Sequence, residues 1–573
     1  MAIDSETSQI SLSQSCAANP IFSYHSPLTT IRRFQLLLDN PSVDMRIQCS
    51  VKNACAALLA CISTPSSAAF YDQVVDTKYG GVQGYRAFNN TPSGNPTNWE
   101  DITVWKGIPF AASTAGNNRW RAPQPAEAWN STLDASTFGP ICPGAKTMTT
   151  GSEGIAEDCL NLNIWSAAKS PGAKFPVVMW SYPAQSSASD ALFDGGGMAS
   201  KGIVFVNYNY RTSSLGWLAH PELSEERLAT TGSDSSGNYG MLDQFAALKW
   251  IREDIASFGG DPEHITVMCQ SAGSAATYHI VNSELTKGLI VGAIIESGVR
   301  DVHDPLDTSI AENYITLNTS LAQGESFLAS LNVSTIKEAR ALPYSDVLTG
   351  FQNSAYQFTA TLDHYAMPDT YLDTLLKGAA NNVPIMTGNT KDESGATYGL
   401  NISLATYEAN LNATYSGQWV ERFLEAYPAN DTTAGGQYNT QWNDRSKVGT
   451  YLWTQLWYKA SKQPVWTYIW DHAPPGQTAG AYHESEINYV LNNLYGTDLP
   501  WNANDYVIAG KMNGYWANFI KTGNPNGNGL VNWSETSNDE TVQRVGDAFE
   551  RVRIASAEKI QLYKEWFAIL PSF

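Results

Sequence analysis

Short apolar runs alternate with helix-like segments along the middle of this chain, and that alternation is the strongest constraint on its fold. Residues 175–180 and 202–208 are rich in β-branched and aromatic side chains and have the length of buried strands. Residues 240–252 have helical spacing, and 264–268 and 292–298 are two further strand-like runs. Strands that alternate with helices form βαβ units. The sequence therefore predicts an α/β fold with a large, mostly parallel central sheet flanked by helices.

The charge balance narrows the partners that such a fold could have. The 573 residues include 35 Lys and Arg against 55 Asp and Glu, a formal net charge of −20. Charge of this sign repels phosphate backbones and anionic lipid surfaces, so nucleic-acid or polybasic membrane binding is not expected. No repeat or long linker interrupts residues 70–573, which are predicted to form a single domain.

An N-terminal stretch has the order of features found in a secretory signal peptide. Arg46 and Lys52 precede a short apolar run at 54–62, and a small-residue cleavage pattern follows at 67–69. We predict a signal peptide at residues 45–69 and a disordered extension or mispredicted start at 1–44; a buried core helix is the alternative for the apolar run. This run is too short to span a bilayer, and no later segment has the ~18 apolar residues that spanning requires.

Sequons and cysteines agree with export. Four of the seven cysteines precede residue 70; Cys142 and Cys159 are close enough in sequence to form a disulfide in an oxidising compartment, and Cys269 remains alone. Eight N-glycosylation sequons begin at Asn89, Asn130, Asn318, Asn332, Asn401, Asn412, Asn430 and Asn532. The expectation is a secreted, extracellular glycoprotein.

A serine follows one of the strand-like runs in a setting that activates nucleophiles. Residues 269–273 read Cys-Gln-Ser-Ala-Gly, which differs from the GxSxG pattern in having Cys269 at the first glycine. The sharp strand-to-helix turn needs small residues two positions before and after its serine, and cysteine is still small. Ser271 is therefore the candidate nucleophile, and a helix N-cap is its alternative role.

A serine nucleophile needs a base and a carboxylate that orients the base. Among the eight histidines, His483 is favoured because it lies in a small-residue loop at 480–486 that precedes an apolar segment. Asp392 and Glu393 follow a strand-like run at 383–388, where an α/β-hydrolase places its acid, and the order serine, acid, histidine is the order of that fold. Spacing alone does not choose between Asp392 and Glu393.

From about residue 72 to its end, the chain resembles the type-B carboxylesterase family, which includes cholinesterases and cholesterol-esterase-like lipases. Besides the serine motif and Lys391-Asp-Glu393, the matching segments are Trp-Lys-Gly-Ile-Pro-Phe at 105–110, Arg-Trp-Arg-Ala-Pro at 119–123, Glu-Asp-Cys-Leu-Asn-Leu-Asn at 157–163, Asn-Tyr-Gly-Met-Leu-Asp-Gln at 238–244, Phe-Gly-Gly-Asp-Pro at 258–262, Tyr-His-Glu-Ser-Glu at 482–486 and Trp-Ala-Asn-Phe-Ile-Lys-Thr-Gly at 516–523. The resemblance implies an α/β-hydrolase fold and a serine carboxylic-ester hydrolase that needs no cofactor or metal.

The resemblance also implies roles for particular residues. It places the nucleophile on Ser271, the acid on Glu393 and the base on His483. It further implies a disulfide between Cys142 and Cys159 and a structural ion pair between Arg119 and Glu157.

The loop after residues 175–180 departs from the family pattern. The family carries HGGG or YGGG there, whose backbone N–H groups bind the developing oxyanion, whereas residues 182–186 of this chain read Tyr-Pro-Ala-Gln-Ser. Proline has no N–H, and Ala184 and Gln185 are expected to enter the positive-φ region of glycine only with strain. The predicted oxyanion hole combines the Ala272 N–H with Ala184 and Gln185, and the side-chain amide of Gln185 is an alternative donor.

Two more departures argue against a choline-like substrate. Gln270 replaces the glutamate commonly found before the serine, and the Cys142–Cys159 loop is too short to place an aromatic ring over a quaternary ammonium group. We predict a secreted serine esterase that hydrolyses neutral small-molecule esters. The same triad could instead perform acyl transfer, lactone chemistry or elimination on a specialised metabolite, and a non-catalytic binding protein of esterase fold is the second alternative.

Overall fold

The strands of this protein are mostly short and buried. A computed structural model describes residues 69–144, 153–306 and 313–572. Its strands are β1 (Val74–Thr77), β2 (Gly80–Gln83), β3 (Tyr85–Arg86), β4 (Thr103–Pro109), β5 (Leu133–Asp134), β6 (Asn161–Ser166), β7 (Phe175–Ser181), β8 (Val204–Tyr208), β9 (Gly260–Gln270), β10 (Gly292–Glu296), β11 (Tyr314–Thr316), β12 (Ala360–Leu362), β13 (Ile385–Thr390), β14 (Val465–Trp470), β15 (Thr541–Val545) and β16 (Glu550–Arg553). The predicted extension at 1–44, and the predicted signal peptide as far as residue 68, lie outside the described residues.

α-Helices lie between many of these strands. They are α1 (Gly196–Ala199), α2 (Ser213–Trp217), α3 (Pro221–Thr231), α4 (Tyr239–Asp254), α5 (Ala272–Asn282), α6 (Leu317–Ser330), α7 (Ile336–Ala341), α8 (Tyr344–Gln352), α9 (Tyr371–Lys377), α10 (Leu404–Thr414), α11 (Gln418–Ala426), α12 (Ala434–Ser461), α13 (Ile487–Leu491), α14 (Ala503–Thr522) and α15 (Ala557–Phe567). Within the described ranges, no helix is both long enough and apolar enough to cross a bilayer.

One eleven-stranded sheet forms the centre of the fold, in the order β16-β15-β14-β13-β10-β9-β7-β8-β6-β4-β3. The pairs from β15 through β14, β13, β10, β9 and β7 to β8 are parallel. At the two edges, β16 pairs antiparallel with β15, and β6, β4 and β3 continue antiparallel beyond β8. Helices such as α5, α12 and α14 pack on these strands, which keeps the central strands buried and explains why they read as continuous apolar runs. The predicted α/β architecture is confirmed.

The strand-like and helix-like runs of the sequence correspond to real elements with slightly different ends. Residues 264–268 lie within β9, and residues 240–252 lie within α4. The predicted strand 292–298 stops earlier, at Glu296, because Ser297 takes a positive φ of 49° that ends the extended conformation. The parallel strands β9, β10 and β13 therefore present their carboxyl ends at one edge of the sheet, where ligands bind in open α/β folds.

Both structural contacts that the resemblance implies are present. Cys142 and Cys159 form a disulfide with their Cα atoms 5.0 Å apart. Nε and Nη2 of Arg119 each donate to one oxygen of Glu157 at 2.6 Å, and both side chains are buried. A buried bidentate pair of this kind needs both partners, since either one alone would be an uncompensated charge.

Candidate active site

Ser271 lies at the sharp turn between β9 and α5. Its backbone angles, φ 55° and ψ −123°, belong to a region that side chains rarely adopt. The Ser271 N–H donates to the carbonyl oxygen of Glu296 at 3.0 Å, and its carbonyl oxygen accepts from the Ser274 N–H at 2.7 Å. These two contacts tie the strained turn to β10 on one side and to α5 on the other. The predicted strand–turn–helix setting of this serine is confirmed.

The small residues of the motif have separate structural reasons. A Cβ atom on Gly273 would lie 2.1 Å from the carbonyl oxygen of Ser181 and 2.9 Å from that of Tyr182, so glycine is needed for close backbone packing. Cys269 faces the interior instead, with its Sγ atom 3.3 Å from both Ser274 Oγ and the carbonyl oxygen of Ile294. Burial raises the pKa of the Cys269 thiol to about 12, so it is a neutral packing group. Cysteine can therefore replace the first glycine without disturbing the turn.

His483 and Glu393 form the central contact of the candidate site. Nδ1 of His483 lies 2.5 Å from Oε2 of Glu393. Burial alone lowers the pKa of His483, but the hydrogen bond and the charge of Glu393 outweigh burial and leave that pKa above the ordinary 6.5. Burial alone would raise the pKa of Glu393, but the hydrogen bond to His483 and the nearby charge of Arg300 outweigh burial, so that this pKa lies below its ordinary value. Glu393 therefore orients an imidazole whose Nε2 atom remains available as a base.

The structure separates the two neighbouring acids that the sequence left open. Oε1 of Glu393 accepts from Ser297 Oγ at 3.0 Å and from the Thr390 N–H at 2.9 Å, which aim its other oxygen at His483. Asp392 instead accepts the Ala481 N–H through Oδ2 at 2.8 Å. Only Glu393 contacts the histidine, whereas Asp392 holds the loop that precedes it.

The Nε2 atom of His483 lies beside the residue that precedes the candidate nucleophile. It is 3.5 Å from Nε2 of Gln270, the last residue of β9. Among the described residues, Ser271 Oγ makes no hydrogen bond with His483 in this conformation. Nucleophile–base contacts are often long without substrate and tighten when it binds. The contact between Glu393 and His483 is thus formed, whereas the predicted triad also needs a contact of His483 with Ser271, which stays a prediction.

Two buried carboxyl groups near the histidine were missed by the sequence analysis. Glu296 is the cross-strand partner of Gln270, and its Oε1 accepts the Trp516 Nε1–H at 2.6 Å. Glu486 is also fully buried, and neither of its oxygens has a partner among the described residues. Burial raises the pKa values of both Glu296 and Glu486. The carboxyl group of Glu296 therefore lies on the strand next to Gln270, and burial disfavours its charged form. The sequence does carry a signal for Glu296, because this glutamate ends the apolar run of β10, which pairs with β9, the strand that precedes Ser271.

The atypical loop and the turn meet at one cavity. A cavity of about 670 Å³ is lined by all three predicted oxyanion residues, Ala184, Gln185 and Ala272. Gln185 adopts a φ of 65°, the left-handed conformation that glycine would take without strain, whereas Ala184 keeps a negative φ. The left-handed form costs a non-glycine residue about 1–2 kcal/mol. Backbone strain is expected at both Ala184 and Gln185, and it is found at Gln185.

Aromatic packing holds the loop in this conformation. The ring of Tyr182 stacks on Tyr210 with centroids 4.7 Å apart and lies near Phe193 on its other side. The hydroxyl of Tyr210 also donates to the carbonyl oxygen of Tyr182 at 3.1 Å. Stacked rings and this hydrogen bond offset the local strain at Gln185.

Replacing Gln185 with glycine tests which atom of this residue serves the oxyanion. Glycine keeps the backbone N–H and adopts the same φ without strain, so we expect kcat/KM for a para-nitrophenyl ester to stay within about threefold of the wild type. Removing a true side-chain donor would instead lower turnover by about 10²–10³. Gln185→Ala is the matched control because it deletes the same amide but keeps a Cβ. A hundredfold loss in both variants would overturn the backbone assignment and favour the side-chain amide.

Comparisons with known proteins agree with this architecture. The carboxylesterase family model matches residues 71–562. A fumonisin B1 esterase of Sphingopyxis macrogoltabida is 32% identical over 455 residues, which cover 76% of this chain and 81% of that protein. A para-nitrobenzyl esterase of Bacillus subtilis is 29% identical over 492 residues, covering 80% and 92%. A solved PNB esterase structure aligns with a TM-score of 0.67 at 27% identity, covering 86% of this chain and 99% of that one. The chain therefore belongs to the carboxylesterase family, as a carboxylic-ester hydrolase with the α/β-hydrolase fold.

Proposed function

We propose that this protein is a secreted serine esterase that hydrolyses neutral carboxylic esters through Ser271, His483 and Glu393. The observation that carries the proposal is the 2.5 Å contact between Glu393 and His483 next to the strained turn of Ser271. A serine in such a turn, a histidine near it and a buried acid behind the histidine are the parts that acyl transfer to serine requires.

The chemistry follows from these three side chains. His483 Nε2 accepts the Ser271 proton while Oγ attacks the ester carbonyl, and Glu393 stabilises the imidazolium through Nδ1. The tetrahedral oxyanion accepts hydrogen bonds from the Ala272 N–H and from the loop at Ala184 and Gln185. The alcohol leaves with the proton from His483. Water, deprotonated by His483, then attacks the acyl-enzyme, and the acid is released with Ser271 restored.

The lining of the cavity supports a neutral substrate. No Lys, Arg, Asp or Glu is among the described residues that line it. An ammonium or carboxylate group that entered this cavity would lose its hydration without gaining an opposite charge from the described lining residues. The carboxyl group of Glu296 would not supply one, because burial favours its neutral form.

The surface supports export to an oxidising, glycosylating compartment. The asparagines of all eight sequons are exposed, although many other asparagines of the chain are buried. The Cys142–Cys159 disulfide fits the same environment.

Covalent labelling tests the proposal directly. A fluorophosphonate probe is expected to add once, at Ser271 Oγ, as located by mass spectrometry of the proteolysed enzyme. A neutral para-nitrophenyl ester should slow the labelling by competition. Ser345→Ala, which removes an exposed hydroxyl outside the cavity, is the matched control and should label at the wild-type rate. Absence of label on Ser271 would contradict the proposal and favour a non-catalytic binding protein.

A substrate panel separates hydrolysis from the other reactions open to the same triad. A labelled enzyme that hydrolyses simple neutral esters acts as proposed. A labelled enzyme that leaves them intact but converts lactones, or transfers an acyl group to an added alcohol, would favour a specialised reaction instead.

A further inference from the structure

The cavity lining includes two buried polar side chains that the ester chemistry does not use, and these two side chains are called its polar end. Gln244 of α4 and His279 of α5 both line the cavity, with exposed fractions of 2% and 4%. The Oε1 atom of Gln244 accepts no hydrogen bond from any described residue. A buried amide oxygen without a partner costs about 1–3 kcal/mol. A donor that enters the cavity would remove this cost.

One face of α5 connects this polar end to the turn. Ala272, Ala275, Ala276 and His279 follow the i, i+3, i+4, i+7 spacing of a single helical face, and all four line the cavity. At 1.5 Å per residue, His279 lies roughly 10 Å along the helix from Ala272. The two alanines between them leave room for a chain beside the helix. This face therefore sets a distance between the reacting carbonyl and the polar end.

His279 is a neutral hydrogen-bonding group in this position. Burial lowers the pKa of His279 to about 3, so its ring carries no charge at neutral pH. The hydroxyl of Tyr371 lies 3.3 Å from both ring nitrogens. One hydroxyl can satisfy only one nitrogen well, which leaves the other for a ligand. With Gln244 Oε1 as an acceptor, the polar end suits a group that both donates and accepts hydrogen bonds.

This inference rests on the proposed function. We propose that the substrate is a neutral ester whose buried part carries a hydroxyl group, which binds between Gln244 and His279 about 10 Å from the scissile carbonyl. The hydroxyl donates to Gln244 Oε1 and completes its bonding at a ring nitrogen of His279. An extended chain covers about 1.2 Å per bond, so the hydroxyl lies about eight bonds from the carbonyl. Plain acyl chains of equal length leave the amide oxygen unsatisfied and are poorer substrates.

Matched ester pairs test this recognition. The first pair is para-nitrophenyl octanoate and its ω-hydroxy derivative, which place the hydroxyl on the acyl side. The second is hexyl acetate and 1,6-hexanediol monoacetate, which place it about the same number of bonds from the carbonyl on the alcohol side. We expect kcat/KM of the wild type to favour the hydroxylated member of one pair by about tenfold or more, because a site built to bond a hydroxyl rejects the analogue without one.

Variants connect that preference to the two residues. Gln244→Met and His279→Phe should each reduce the ratio of kcat/KM between the hydroxylated and the plain ester by at least about fivefold. The thermal midpoint of each variant reports whether it is folded. Asn282→Leu is the matched control. It removes an amide of the same helix that has no partner among the described residues, but Asn282 is not among the residues that line the cavity, so the preference should persist.

The outcomes separate this inference from the proposed function. Equal kcat/KM for both members of both pairs would overturn hydroxyl recognition and leave the esterase proposal standing. A preference that survives in both Gln244→Met and His279→Phe would also overturn it. A wild type that hydrolyses none of the four esters would contradict the esterase proposal and this inference with it.

Discussion

Replacing Ser271 with alanine is expected to lower kcat/KM for a neutral para-nitrophenyl ester by at least about 10⁴-fold. The hydroxyl is the only atom group that the substitution removes, and no other nucleophile lies at the turn between β9 and α5 in the described structure. The residual rate would come from the oxyanion donors and binding alone. Initial-rate kinetics on the purified full-length protein measure the loss.

Stability measurements separate this effect from misfolding. Ser271 occupies the strained turn through its backbone contacts to Glu296 and Ser274, which alanine keeps. The thermal midpoint of Ser271→Ala should therefore stay close to that of the wild type. Turnover above about 1% of wild type in a correctly folded variant would show that another residue is the nucleophile.

Changing Glu393 to glutamine is expected to lower kcat/KM by about 10³–10⁴-fold. An amide can donate to Nδ1 as well as accept from it, so it no longer enforces the tautomer that leaves Nε2 free as a base. The charge of Glu393 also raises the pKa of His483. The base works in its neutral form, so wild-type activity should fall as pH drops through an inflection above 6.5. In Glu393→Gln, the remaining activity should show this inflection at lower pH.

Asp392→Asn is the matched control for this prediction. Asp392 adjoins Glu393 but binds the Ala481 N–H, a contact that the side-chain oxygen of asparagine preserves. Its kcat/KM should change less than about tenfold. A larger loss in Asp392→Asn than in Glu393→Gln would reverse the roles of the two acids. An unchanged pH inflection in Glu393→Gln would show that Glu393 does not set the pKa of His483.

The sequence predicts the setting of the site better than its side-chain directions. Alternating apolar runs identify β9 and α5, so the turn at Ser271 follows from local pattern. Asp392 and Glu393 are consecutive residues just after β13, and the side chains of consecutive residues in an extended chain point in different directions. Which of them faces His483 depends on the Ser297 hydroxyl, contributed by the chain just after β10. That long-range contact has no local signal, so only the family resemblance selected Glu393.

The rest of the site depends on packing that one sequence does not display. The left-handed conformation of Gln185 is stabilised by stacked tyrosines, against its intrinsic preference. His279 resembles any buried helical histidine until its place on the cavity is known. Glu296 and Gln270 are distant in sequence and become neighbours only through the pairing of β9 with β10.

The contact at Gly273 shows how closely the loop at 182–186 approaches helix α5. A Cβ atom at 273 would meet only backbone atoms of Ser181 and Tyr182, and every amino acid carries those atoms. The closest contacts between the loop and the helix at Gly273 therefore involve no side chain of positions 183–186. A single methyl group at 273, by contrast, would separate the two. The approach of the loop backbone to α5 thus requires glycine at 273, and it sets no such requirement on the side chains of the Pro-Ala-Gln sequence at 183–185.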